Sequence, residues 1–437
     1  MFTGLMKMSA RAALVAGLLA SWAALAPNAA TAADSVPLLA QTATPALPAA
    51  GVGAGNGGAV ILPPGSSSEA QAEAAGLPAT PAAAAPAAAA PAAAAPVRMA
   101  VLLPNRSGAF GAAADAVRTG LLTAYSRQKD NIQLSIIETG DSAADMQRAY
   151  DEASARFDIL IGPLSRSAVT AVAQSGRVSK PTIALAQPDM AGEGEMQLPA
   201  QMLAVGLSID EEARQVANWV EKEKAPGKIF AISTGVAWQK RAARSFQLRA
   251  RQLGMQVETL ELSTPSSALS GPGLAQLAKR VEQEKPALLF LALDASQAVQ
   301  LRSAVGTELP LYGTSQINPF TLKRDNPNDK LPELDGVRLI DIPWQLQADN
   351  VAVARYPRPT INDNERPNPD LARLYALGID AYRIAYGIAQ QRSGFDVDGV
   401  TGRLNVNMVS GGATYFQRQE TQAIYQDGWP VPTADQY

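Results

Sequence analysis

The pattern of apolar and polar positions alternates regularly from Val97 to about residue 205. Short, largely apolar runs, such as RMAVLLP at 98–104 and FDILIG at 157–162, alternate with segments in which apolar residues recur every three or four positions. The first pattern is typical of a strand buried on both faces, and the second of an amphipathic helix. The first helix carries its apolar face on Ala114, Val117, Leu121 and Ala124. Strands that alternate with helices in this way predict a parallel sheet covered on both sides.

A second round of the same alternation follows between residues 207 and 341. Its strands are KIFAIST, MQVETLEL, ALLFLALD and PLYGTS, and its first helix is SIDEEARQVANWVEKE. Ser208 and Glu211 at the start of this helix have the spacing of a capping box. Glu211 and Glu212 lie in the first turn, where the helix dipole favours acidic side chains. The segment therefore predicts a second α/β unit of about the same size as the first.

The remaining sequence predicts one more strand at DGVRLIDIPW, a long helix at RPNPDLARLYALGIDAYRIAYGIAQQ (366–391) and several short strands after it. Pro369 falls in the first turn of the helix, where proline is favoured. The buried face of the helix is predicted to be Leu371, Leu374, Ala381, Ile384 and Ile388.

The first 32 residues have the layout of a signal peptide. Lys7 and Arg11 precede an apolar stretch, AALVAGLLASWAALA at 12–26, and small residues follow at Ala30 and Ala32. The apolar stretch is short for a spanning helix, so we expect cleavage after Ala32 and export. No later segment is long and apolar enough to cross a bilayer, so we expect no stable membrane span after cleavage.

Residues 33–96 are predicted to be a disordered linker. The segment is rich in Ala, Pro and Gly and buries too little apolar surface to fold. Prolines at intervals of five residues interrupt any helix that the alanines would favour. These prolines are Pro81, Pro86, Pro91 and Pro96.

Composition excludes several classes of function. The 437 residues include neither Cys nor His, so Ser-His-Asp and Cys-His nucleophiles and zinc sites of the usual kind are absent from the sequence. The net charge is -3 and no basic block stands out, which argues against a nucleic-acid partner. We expect no metal, no cofactor and no enzymatic activity.

Hydroxyl side chains follow two strands of the first predicted unit. Ser107 lies in LLPNRSGAFG after the first strand, and Ser165 and Ser167 lie in IGPLSRS after the third. Parallel sheets bind ligands at the carboxyl ends of their strands, and hydroxyls beside helix N-termini form a natural site for an anion. The alternative is that each serine caps its own helix. The sequence leaves both readings open.

Several ordered segments resemble known families. LLPNRSGAFGAAADAVRTGLLTAY and DILIGPLSRSAV resemble the opening lobe of type I periplasmic binding proteins. The later series LSIDEEA, LYGTSQIN, LDGVRLIDIPW, RLYALGIDAYRIA and TGRLNVN resembles the LppC family, which contains lipoprotein activators of class A penicillin-binding proteins. The resemblance covers residues 97–437.

This resemblance implies a type I periplasmic binding protein architecture of two Rossmann-like α/β lobes with parallel sheets. Lobe one would comprise 97–206 and 342–400, and lobe two 207–341 and 401–437. The implied function is that of a non-enzymatic periplasmic regulator that binds a penicillin-binding protein and stimulates peptidoglycan synthesis. Since the sequence offers no cysteine for acylation, we expect the protein to lack a lipid anchor.

The alternative is a periplasmic solute-binding protein for an amino acid or a similar small polar ligand. Carried over by position, Ser107 and Ser165 would then hold a carboxylate and Asp294 an ammonium group, with Trp238 packed on the ligand side chain. Such paired charges are what amino-acid recognition requires. The complete pocket would be Ser107, Ser165, Gln187, Trp238, Asp294 and Ser315.

Overall fold

The computed structural model describes residues 95–189, 196–224, 226–265, 268–321, 329–359, 368–408 and 414–433. The predicted signal peptide and all but the last two residues of the predicted linker lie outside the described residues. Among the helices within these ranges, none has the length and apolar character that a membrane crossing requires.

The first half of the molecule is built around a five-stranded sheet of order β2-β1-β3-β4-β5 in which every pair is parallel. Strand β1 is buried on both faces, with Met99, Val101 and Leu103 in one hydrophobic cluster and Ala100 and Leu102 in another. This alternation confirms the predicted sheet with helices on both sides. The elements are β1 (Val97–Leu103), α1 (Gly111–Arg127), β2 (Ile132–Glu138), α2 (Ala143–Ser154), β3 (Ile159–Ile161), α3 (Arg166–Gln174), β4 (Thr182–Ala184) and β5 (Met202–Ala204).

The second half is built around a seven-stranded sheet of order β15-β14-β10-β9-β8-β6-β7. Strands β6 to β10 pair in parallel, and β14 and β15 extend the sheet in antiparallel fashion at one edge. The elements are α4 (Ile209–Glu223), β6 (Ile229–Thr234), α5 (Ala237–Gln252), β7 (Val257–Leu262), α6 (Gly271–Glu284), β8 (Leu288–Leu291), α7 (Ala295–Val305), β9 (Leu311–Gly313), β10 (Arg338–Asp341), and, after the chain returns, β14 (Thr421–Gln426) and β15 (Trp429–Pro432).

Between β10 and β14 the chain completes the first half. The segment contains α8 (Pro343–Leu346), α9 (Val351–Ala354), α10 (Pro369–Ala389) and a three-stranded antiparallel sheet of β11 (Gly394–Asp398), β12 (Arg403–Asn407) and β13 (Tyr415–Gln419).

Helix α10, which corresponds to the long predicted helix, packs against α1. Of its predicted apolar face, three residues are buried and two are partly buried in the core of the first half. The two helices approach closely at two glycines: a Cβ on Gly120 would lie 1.9 Å from the Tyr375 carbonyl oxygen, and one on Gly378 would lie 2.1 Å from the Val117 carbonyl oxygen. Backbone contact at these points leaves no room for a side chain.

The C-terminal strands divide between the two halves, whereas we expected 401–437 to return as one group to lobe two. Strand β12 buries Leu404 and Val406 in the core of the first half, and only β14 and β15 join the second sheet. The reason is the alternation of buried and exposed positions along β12, which pairs with β11 and covers α10. The chain thus passes between the halves after β5, after β10 and after β13.

Candidate functional site

The carboxyl ends of the central strands of both sheets face each other across a cleft between the two halves. The cleft contains a cavity of about 70 Å³, with Leu164, Leu185 and Leu374 on its first-half side and polar side chains on the other. A water molecule fills about 30 Å³ of liquid, and pockets for small ligands usually have about 300–1,000 Å³. In the observed arrangement the cavity therefore has room for a few water molecules and not for an amino acid.

Glu212 fills part of this cleft from α4. Ser208 caps α4 by accepting a hydrogen bond from the Glu211 backbone N–H at 3.3 Å, which places Glu212 in the first turn. The Glu212 carboxylate is buried and accepts hydrogen bonds from the Ser315 N–H (2.8 Å) and the Ser315 hydroxyl (3.0 Å). Burial raises the pKa of Glu212 to about 7 despite these two hydrogen bonds.

A carboxyl with such a pKa is a common property of catalytic acids and bases. In this cleft, however, Ser315 occupies both oxygens of Glu212, and the adjacent cavity is too small for a substrate. Within the described ranges no group of three acidic side chains could hold a metal ion. The arrangement fixes the segment after β9 against α4 and offers no reacting pair.

A buried ion pair joins the two halves next to Glu212. Arg373 of α10 donates to Asp341 at the end of β10 through Nε (3.0 Å) and Nη2 (2.7 Å), and both side chains are almost fully buried. Nη2 also donates to the carbonyl oxygens of Ser315 and Asn318, each at 3.0 Å. Although burial lowers it, the Asp341 carboxylate raises the pKa of Arg373 above its ordinary value. The guanidinium is thus held as a cation by acceptors of the second half.

Asp370, one turn earlier on α10, completes the pairing of Arg373. Its carboxylate accepts a hydrogen bond from Arg373 Nη1 at 3.0 Å. Burial raises the pKa of Asp370 to about 6, against the opposing effect of the Arg373 charge. Burial therefore raises the pKa of both Glu212 and Asp370, which lie on opposite sides of Arg373's contacts with the second half and with its own helix.

The mouth of the cleft is lined by a second set of charges. Arg166 of α3 donates to Asp189 through Nε at 3.1 Å and to the Pro188 carbonyl oxygen at 3.0 Å. Asp210 Oδ2 lies 3.9 Å from Arg166 Nη1 and 3.8 Å from Arg241 Nε. Since Arg166 belongs to the first half and Asp210 to the second, the contact between these two also joins the halves.

Three of the seven predicted site residues line the cavity: Gln187, Trp238 and Ser315. Gln187 donates from Nε2 to the Ala204 carbonyl oxygen at 3.2 Å. Trp238 is half-buried at the start of α5, and Ser315 donates to Glu212. These residues are brought together at the cleft, and their role in ligand binding stays a prediction.

The other four predicted residues lie outside the cavity wall. Ser165 is the N-cap of α3, and Asp294 is the N-cap of α7 in a full capping box with Gln297. The Ser107 hydroxyl accepts from two backbone N–H groups that precede α1 and donates to Asp141 at 3.0 Å. Ser167 is exposed on α3. Ser165 and Asp294 thus cap their own helices, whereas α1 has no side-chain cap and the Ser107 hydroxyl holds the turn before it.

The sequence reasoning missed Glu212, Asp341 and Arg373. Glu212 was interpreted as an ordinary acid of a first helical turn. Two features of the sequence indicate the buried ion pair. One is the single Asp at the end of the apolar strand RLID, and the other is an Arg inside the apolar face of the long helix. Charges at such positions are rarely buried unless they are paired.

A family model described as "LppC putative lipoprotein" matches residues 78–428. A penicillin-binding protein activator LpoA from Photobacterium profundum is 25% identical over 374 residues, which are 77% of this chain and 57% of that protein. The chain thus spans about half the length of the curated relatives it matches.

Two solved structures have similar folds. LpoA from Haemophilus influenzae superposes with a TM-score of 0.61 at 20% identity, over 77% of this chain and 59% of that protein. A "putative branched-chain amino acid ABC transporter" from Chromobacterium violaceum superposes with a TM-score of 0.59 at 30% identity, over 75% of this chain and 100% of that chain. These similarities confirm the periplasmic binding protein fold.

Proposed function

Because the chain belongs to the LppC family, we propose that it is a non-enzymatic regulator that binds a penicillin-binding protein and stimulates peptidoglycan synthesis. Its relatives carry the name of penicillin-binding protein activators, which is a regulatory role. Those relatives are longer than this chain. We infer the same role for this chain from the part of their sequence that it matches.

The observation that carries the proposal is the closed cleft. Glu212, Ser315 and Arg373 fill the centre of the cleft, where a cavity of about 70 Å³ remains. An amino acid needs a cavity several times larger than this one, so the centre of the cleft does not hold it. A regulator that works through protein contact needs no such cavity, because it presents its outer surface to its partner.

The site of action in this proposal is the periplasm, the compartment in which peptidoglycan is polymerised. The expectation that the protein lacks a lipid anchor stands against the description of its family as lipoproteins. The sequence itself contains no cysteine. The manner of its attachment to a membrane is therefore not part of the proposal.

The test is the rate of glycan polymerisation by a purified bifunctional penicillin-binding protein, measured with and without an equimolar amount of this protein. We expect a higher rate and co-purification of the two proteins. An unrelated periplasmic binding protein at the same concentration serves as the control and should leave the rate unchanged. An unchanged rate together with no co-purification would refute the proposal.

A second candidate function, solute binding, is favoured by one observation. The Chromobacterium violaceum protein, described as a branched-chain amino acid ABC transporter, superposes over 100% of its own length on 75% of this chain, at 30% identity. Thermal unfolding against a panel of amino acids distinguishes the two functions. Ligand at 100 times its Kd would stabilise the native state by about 2.7 kcal/mol, and we expect no such shift from any amino acid of the panel.

A further inference from the structure

A groove of about 500 Å³ lies beside the closed cleft and is much larger than the cavity within it. Its walls come from three parts of the fold: the segments after β3 and β4 in the first half, helices α4 and α5 in the second half, and strand β13. Its volume is in the range of sites that bind ligands. Neither the proposed function nor the family comparison assigns a role to it.

The charged lining of this groove is mainly arginine. Five arginines and three carboxylates line it, and no lysine is among the described lining residues. Arginine binds carboxylates in a bidentate manner and is enriched at the energetically important positions of protein interfaces. We call this concavity the arginine groove; its arginines are Arg166, Arg214, Arg241, Arg244 and Arg418.

Two apolar side chains stand exposed in the lining of the arginine groove. Leu248 of α5 is 44% exposed and Tyr415 of β13 is 47% exposed. They are two of the five exposed large apolar side chains among the described residues. Exposed apolar groups with polar surroundings are typical of protein interaction sites.

We propose that the arginine groove is the docking site for an extended acidic peptide segment of the protein partner. An acidic side chain of the segment would pair with Arg244, the exposed arginine of the groove, and an apolar side chain would pack on Leu248 and Tyr415. The proposal rests on the proposed function, since it names the surface through which the partner is bound.

The first experiment measures the Kd of a purified bifunctional penicillin-binding protein for the full chain and for Arg244→Glu and Leu248→Ser. Arg148→Glu is the matched control, because Arg148 is also an exposed helical arginine but lies on α2, away from the groove. We expect both groove variants to weaken binding about tenfold or more, and the control to change it less than about twofold. Equal affinities for the groove variants and the wild type would overturn the proposal.

The second experiment separates this inference from the proposed function. Fluorescence anisotropy with a labelled decapeptide of alternating Glu and Leu tests the groove without any penicillin-binding protein. Binding that is lost in Arg244→Glu and kept in Arg148→Glu supports the groove even if the regulator role fails. Equal binding by both variants, or displacement of the peptide by an equal concentration of inorganic phosphate, would overturn the inference while leaving the regulator role intact.

Discussion

Replacing Glu212 by Gln should remove a pH dependence from the stability of this protein. Glu212 is buried against Ser315, and its carboxylate also faces Asp341, whose charge raises its pKa, and Arg373, whose charge lowers it. Gln has nearly the same shape and stays neutral at every pH. Its amide oxygen can accept from the Ser315 N–H, and its NH₂ group can donate to the Ser315 hydroxyl.

The sign of the effect follows from proton binding in the two states. Between the ordinary pKa of Glu, 4.5, and the folded value of about 7, the folded state holds the proton and the unfolded state has lost it. The free energy of unfolding of the wild type therefore falls as pH rises through this window. A tenfold change in proton affinity corresponds to about 1.4 kcal/mol. The free energy of unfolding of the wild type should therefore be lower above pH 7 than below pH 4.5 by about 3 kcal/mol.

The assay is urea unfolding of the wild type and of Glu212→Gln at pH 5 and at pH 8. We expect similar free energies of unfolding at pH 5. At pH 8 we expect the variant to have the higher free energy of unfolding, by up to about 3 kcal/mol. Burial and the Glu212 charge raise the pKa of Glu420, so the substitution also changes the titration of Glu420, and the difference reports on these two carboxyls together. Glu282→Gln, at an exposed position of α6, is the control and should follow the wild type at both values. A variant with the same pH dependence as the wild type would refute the reasoning.

Three further substitutions test the packing around the cleft and the helix starts. Arg373→Met leaves its buried carboxylate partner without a counter-charge and should lower the free energy of unfolding by about 3–5 kcal/mol in urea titrations. Gly120→Ala should cost about 1–3 kcal/mol because its Cβ meets backbone of α10, while Gly111→Ala in the same helix, whose Cβ would lie 3.9 Å from the Asn105 carbonyl oxygen, should be nearly neutral in the same titration. Ser165→Ala should lower thermal stability by about 0.5–2 kcal/mol through loss of an N-cap, and Ser167→Ala, which caps nothing, should not.

Local sequence patterns were sufficient to predict the two parallel sheets and the long helix α10. Those patterns follow from burial on both faces of a strand and from helical periodicity, which depend on neighbours in sequence. The division of the C-terminal strands was not predictable in this way. Strands β12 and β13 are short and join a sheet with β11, and which sheet a short strand joins depends on contacts far apart in the chain.

The candidate site was less predictable than the fold, for a physical reason. Gln187, Trp238 and Ser315 lie at the cleft, because position in an α/β sheet determines which loops face it, and their role in ligand binding stays a prediction. The charges that fill the cleft were missed because burial of Glu212 and Arg373 depends on partners from other elements. A sequence shows the charge of a side chain and not its partner.

The centre of the cleft and the arginine groove are linked by the geometry of the two halves. Arg373 of α10 and Asp341 of β10 join the halves through a buried ion pair. The arginine groove has walls from both halves, since Arg166 belongs to one and Arg244 to the other. The arrangement of the halves that contains the ion pair is therefore also the one that forms the groove. A site that is formed before its partner arrives loses less entropy on binding, so the contacts that fill the centre of the cleft favour binding at its mouth.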